Sequence, residues 1–115
     1  MKIILSFIFI ILFSINLFAS GPQGLQTGTP SSVTVGATST LVLSADIYRE
    51  EILLINDSNE VIYISYGGTS AEMNKGIRLN ANGGSATWEY SVIPHKAIYA
   101  ICTSGNKNLC VQIGQ

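Results

Sequence analysis

A chain of 115 residues has room for one domain. Six Lys and Arg against seven Asp and Glu leave a net charge of −1, which argues against nucleic-acid binding, since that role needs a basic face to neutralise phosphates. Hydrophobic residues make up 47% of the chain, but many of them stand in its first 18 positions, so the figure does not make the remainder a membrane protein.

Lys2 is followed by the apolar run Ile3–Phe18, broken only by Ser6, Ser14 and Asn16, and then by Ala19, Ser20, Gly21 and Pro22. A charged start, a short apolar stretch and a small-residue exit make residues 1–20 a secretory signal peptide, a helical segment cut after Ala19 or Ser20. The run falls short of the ~20 residues that a helix needs to cross the hydrocarbon core comfortably. Its rival is an uncleaved membrane anchor, which would leave the chain in contact with a membrane through this segment alone. No cysteine stands at the exit, so lipid modification is not expected. The reading places the protein outside the cytoplasm, periplasmic or extracellular. Beyond the signal, seven acids stand against five bases.

Residues 21–32, GPQGLQTGTPSS, read as a flexible leader, and residues 33–115 as the folded domain. From there short runs of β-branched and aromatic residues at period two alternate with Gly, Asn and Ser clusters. Val33 and Val35 form one strand, turned at Gly36, and Leu41 and Leu43 a second. Tyr48–Ile55 and Val61–Tyr66 are predicted to form a hairpin about the polar turn Asn56–Glu60, and their apolar stretches suit central strands. Ile77 and Leu79 bracket Arg78 in a short strand, and Asn80–Gly84 is a tight turn of residues that tolerate positive φ. Ala86–Val92, Ala97–Cys102 and Leu109–Ile113 complete the set, with Pro94 as a break. Seven to eight strands with no helical periodicity predict an all-β fold, a small antiparallel β-sandwich or jelly-roll-like domain.

Cys102 and Cys110 flank the polar segment Thr103–Asn108. A turn about Asn106 would set them opposite each other in a hairpin, with Ile101 facing Val111, and in an exported chain such a pair is expected to form a disulfide worth roughly 2–3 kcal/mol.

Catalytic chemistry has little support. His95, the single histidine, follows Pro94 in an expected loop, and no serine stands in a nucleophile-elbow pattern. Glu50 and Glu51 are neighbours on a strand and point to opposite faces, so they make a poor acid–base pair. The chain is expected to be no enzyme and to hold no cofactor or metal, although Asp57, Asn59 and Glu60 share a turn and could offer oxygens to calcium. Asn56-Asp57-Ser58 is a glycosylation triplet. The pairs Gly67-Gly68 and Gly83-Gly84 lack the helix and lysine of a phosphate loop and read as bends. Tyr63, Tyr66, Trp88, Tyr90 and Tyr99 are the candidate partner contacts, able to stack on sugars or anchor a protein; their alternative is to cover the core.

The strings SVTVGATSTLVLSADIYREEILLINDSNEVIYISYGGTSA, GIRLNANGGSATWEYS and AIYAICTSGNKNLCVQIG resemble a family of small phage virion-associated proteins. That resemblance implies a compact β-sandwich structural module of heads or tails, acting by binding and assembly without catalytic residues, and able to form homo-oligomers. The signal segment departs from the family, whose members assemble without export. Three functions follow as expectations: an exported or virion-associated structural and binding module of phage origin, a bacterial secreted carbohydrate- or surface-binding module, and a phage-encoded envelope protein that masks a receptor. The expected partners are proteins in a particle or at the cell surface, or glycans.

Overall fold

The structure is a computed structural model that describes Gly24 and residues 27–115; the expected signal, residues 1–20, lies outside the described residues. Eight strands run as β1 (Gly28–Val35), β2 (Thr40–Leu43), β3 (Glu51–Asn56), β4 (Ile62–Ser65), β5 (Ile77–Leu79), β6 (Ser85–Glu89), β7 (Ile98–Cys102) and β8 (Lys107–Gly114). They form two antiparallel sheets with the orders β1-β8-β3-β6 and β2-β7-β4-β5. Every connection except β4–β5 therefore crosses from one sheet to the other, which is the winding of an eight-stranded jelly roll. The expected all-β sandwich is the observed fold.

Alternation along the strands explains the packing. Ile52 and Leu54 from β3, Ile62 and Ile64 from β4, Leu79 from β5, Ile98 and Ala100 from β7, and Leu109 and Val111 from β8 all point between the sheets. Each Ile or Leu buried there contributes about 1.5–3 kcal/mol relative to exposure. In β2 the register slips between Leu41 and Leu43, and this bulge turns both Val42 and Leu43 into the core while Leu41 stays out. The apolar stretches of β3 and β4 do occupy central positions, each with a neighbour on both sides.

Several expectations need correction. The strands on either side of Asn56–Glu60 do not form a hairpin: β3 pairs with β6 and β8, and β4 with β5 and β7. The turn is an arch between sheets, held by Asn56, which is fully buried and whose Nδ2 donates to the carbonyls of Glu60 at 2.7 Å and Leu79 at 3.0 Å. The same error undoes the disulfide. Asn106 does turn the chain, with φ 52°, but β7 and β8 belong to opposite sheets, and the two thiols are unbonded. Cys102 points into the core, while Cys110, out of phase with Leu109 and Val111, lies on the outer face of the other sheet. A bond between them would need one strand inverted.

Strand β1 starts at Gly28, so residues 28–32 of the expected leader belong to the sheet. They pair by backbone along β8 with largely exposed side chains, and so show no apolar alternation. The strand expected over Ala86–Val92 stops at Glu89, and Tyr90–Val92 form one 3-10 turn. The tight turn Asn80–Gly84 is as expected, with Asn82 at φ 60° and Gly83 at φ 112°. Gly84 is required there because a Cβ would overlap the backbone of Asn80.

Arg49, between β2 and β3, is 2% exposed. Its Nε donates to the carbonyl of Pro94 at 3.0 Å, and Nη2 to those of His95 at 3.0 Å and Lys96 at 2.9 Å. Burial pushes the guanidinium below its ordinary value, and the charge of Asp46 partly offsets this. Three carbonyls thus solvate a cation that has no carboxylate in contact among the described residues. Arg49→Met should lower the unfolding free energy by about 3 kcal/mol in urea titration, because it takes the guanidinium's three hydrogen bonds from those carbonyls and, among the described residues, leaves only His95 with another donor, the Asp46 N–H. Arg49→Lys should recover only part of that loss, since an ammonium cannot copy the planar fork.

Candidate functional site

The register sets Gly28, Gly114, Glu51 and Glu89 side by side at one end of the β1 sheet. The loops of residues 44–50, 66–76 and 90–97 all emerge at this end, together with the junction of Thr27 and Gln115. The opposite end carries the four turns 36–39, 57–61, 80–84 and 103–106.

The two ends differ in chemistry. At the turn end polar groups are spent on one another. Asn56 Oδ1 accepts from Ser58 Oγ at 2.6 Å, Glu60 Oε1 from the Ser104 N–H at 2.7 Å, and Asn59 Oδ1 from Lys107 Nζ at 2.9 Å. The Ser104 bond holds the Glu60 carboxyl below its usual range. At the loop end stand Ile47, Tyr48, Tyr66, Tyr90 and Val92, five of the six exposed large hydrophobic residues of the described fold. Tyr48 is 75%, Val92 71% and Ile47 70% exposed. Leu41, the sixth, lies on the outer face of the β2 sheet opposite Tyr99.

The three loops are tied into one platform. The Asp46 N–H donates to the His95 carbonyl at 2.8 Å, the Tyr90 N–H to Glu50 at 2.8 Å, and the Gly68 N–H to Ala97 at 2.9 Å. Within the first loop Asp46 Oδ1 accepts from the Tyr48 N–H at 2.8 Å, a side-chain turn that puts Ile47 and Tyr48 at its tip. Gln115 Nε2 donates to Asp46 Oδ2 at 2.8 Å, which joins the chain end to the same platform. Tyr90 has φ 46°, a conformation that a bulky side chain adopts only under constraint. Asp46 and Glu50 share the first loop, and Glu51 and Glu89 lie directly opposite each other at the ends of neighbouring strands, a like-charge pairing that opposes strand association.

Of the five expected partner-contact aromatics, the structure brings three towards this end. Tyr66 and Trp88 meet edge to face, with centroids 6.1 Å apart, and Tyr90 follows β6 by one residue. Trp88 is half-buried against the core. Tyr63 and Tyr99 belong to the outer face of the β2 sheet and are half-buried there; the Tyr63 hydroxyl donates to Asn74 Oδ1 at 3.0 Å. The loop 66–76 folds back over this face, where the Ala71 N–H donates to Ser39 Oγ at 2.9 Å. Sequence reading missed Ile47, Tyr48 and Val92. The acid followed by two apolar residues in Asp46-Ile47-Tyr48 was an available turn signal, whereas Val92 was hidden by the strand-like alternation before it.

The other candidates separate. The His95 side chain is exposed while its carbonyl serves Arg49. Asp57, Asn59 and Glu60 are bonded to Asn108, Lys107 and Ser104, and among the described residues no group of three or more His, Cys, Asp or Glu is placed to hold a metal ion. Asn56 of the glycosylation triplet is sealed in the core with both Nδ2 protons donated. A polar hollow of about 380 Å³ between β4 and the 66–76 loop is lined by Ser65, Thr69, Ser70, Glu72, Lys75 and Gly76. Its Lys75 is paired with Glu72 at 2.7 Å.

Three outcomes test this geometry. Tyr90→Gly should stabilise the fold by about 1 kcal/mol in thermal unfolding, because glycine accepts positive φ freely and the ring is mostly outside the core. Destabilisation by that change would mean that the ring packs inward. A thiol reagent should titrate Cys110 in the native protein and Cys102 only after unfolding, since burial also pushes the Cys102 thiol up. Reducing agent should leave the melting temperature unchanged.

Comparison of the chain with family models, curated proteins and solved structures returns no match.

Proposed function

We propose that this protein is a non-enzymatic interaction module of phage origin, exported after cleavage near Ala19 or Ser20 and acting through the loop end of its jelly roll. One observation carries the reading: Ile47, Tyr48, Tyr66, Tyr90 and Val92 stand exposed on loops hydrogen-bonded to one another, at one end of a fold whose other end is polar. Isolated exposed apolar residues need no explanation, but a gathering of them at one end of a fold has the anatomy of a contact surface. Rigid strands beneath short loops are a common way to present such a surface. The strained Tyr90 supports the same reading, since the fold keeps a costly backbone conformation where it displays a ring. The phage assignment rests on the resemblance of the strings quoted above.

A glycan-binding role is the second reading, favoured by Tyr66, which is exposed and rests against Trp88. Loss of polysaccharide binding in Tyr66→Ala with no change in Tyr48→Ser would select it.

The test of the main reading is peptide mass spectrometry across a density gradient of particles, envelope and soluble secreted material from the source culture. The protein should band with particles or envelope, with an N-terminal peptide beginning near Ser20 or Gly21. The double variant Tyr48→Ser, Val92→Ser should keep its fold by circular dichroism and move to the soluble fraction. Wild-type protein found only as soluble material would overturn the reading.

A further inference from the structure

We infer that the partner of the loop end is a lipid bilayer, against which the jelly roll stands with Ile47, Tyr48, Tyr66, Tyr90 and Val92 at the surface. The inference rests on the contact surface proposed above and names what it meets. The first ground is composition: three tyrosines among aliphatic side chains match the belt that proteins place at the level of lipid headgroups, where a ring buries its body and leaves its hydroxyl wet.

The second ground is where the chain enters. Thr27 and Gln115 exchange backbone hydrogen bonds of 2.9 and 2.8 Å, and Gln115 is bonded to Asp46 of the apolar loop. The 26 residues before Thr27 therefore join the fold at the same end as the exposed apolar side chains, and they include the run Ile3–Phe18. Eight residues, 19–26, separate that run from Thr27, a reach of at most about 30 Å. As long as the run is still attached and lies in a membrane, the loop end is the part of the domain nearest to it. Among the described residues no helix is long and apolar enough to cross a membrane. Asp46, Glu50, Glu51 and Glu89 outnumber the exposed Lys96 at this end, so an anionic surface would repel it and a zwitterionic one would be tolerated.

The experiment places a single fluorescent label at Tyr48→Cys, Val92→Cys or Asn82→Cys, each in a Cys110→Ser background that leaves only the buried Cys102. Full-length chain and chain beginning at Gly21 are mixed with phosphatidylcholine vesicles containing a nitroxide-labelled lipid. Labels at 48 and 92 should shift to the blue and lose emission to the nitroxide, while the label at 82, at the turn end, should do neither. Adding Ile47→Ser should reduce the loss at 92 while circular dichroism stays unchanged. Equal emission at all three positions in both chains overturns the bilayer as partner. If Tyr48→Ser, Val92→Ser still shifts the protein out of the particle or envelope fraction, the surface then serves a protein and the interaction-module reading stands. If that variant also leaves fractionation unchanged, both fail.

Discussion

Arg49 is a buried cation without a carboxylate in contact among the described residues, and the loop end is arranged around its solvation. An isolated guanidinium taken from water loses several kcal/mol of hydration, which only closely placed acceptors can offset. Here the acceptors are the consecutive carbonyls of Pro94, His95 and Lys96, so the segment after the 3-10 turn must run past the guanidinium with its carbonyls turned inward. Once that path is set, the Asp46 N–H finds His95, the Tyr90 N–H finds Glu50, and the Gly68 N–H finds Ala97. A loop cluster that could have been three independent connections becomes one surface.

The opposite end solves a different problem with a neutral group. Where β3 leaves its sheet, the buried Asn56 amide donates to the Glu60 carbonyl on the way into β4 and to the Leu79 carbonyl at the end of β5. Its backbone N–H and carbonyl also engage Gly84 and Gly83 of the neighbouring turn. One side chain thus satisfies the backbone groups exposed where strands change sheets, and the polar atoms left over are bonded to neighbours. Little apolar surface remains outside. The contrast with the far end is what marks the loop end as a place of contact.

Most strand positions, the buried faces of β3, β4 and β8 and the Asn80–Gly84 turn were legible in the sequence because they depend on local alternation and local φ preference. Ile52 and Leu54, Ile62 and Ile64, and Leu109 and Val111 face the core at period two. The candidate site was less legible. Tyr66, Trp88 and Tyr90 were identified by residue type, but Tyr63 and Tyr99 are of the same type and lie under a loop on the outer face of a sheet. Ile47 and Val92 have ordinary aliphatic side chains; the turn at Asp46 that exposes Ile47 is local, but the loop that carries Val92 is fixed by Arg49, which is far from it in sequence.

The sequence by itself determined an all-β sandwich, the approximate bounds of most strands and the apolar segment that precedes them, because alternation, turn residues and hydropathy act over a few positions. Tertiary structure alone decided which strands pair. A polar turn between two apolar runs closes a hairpin or carries the chain across to a facing sheet with the same residues, and the choice depends on partners distant in sequence. That choice separates β3 from β4, places Cys102 inside one sheet and Cys110 outside the other, and gathers three loops and the entry of the chain at one end.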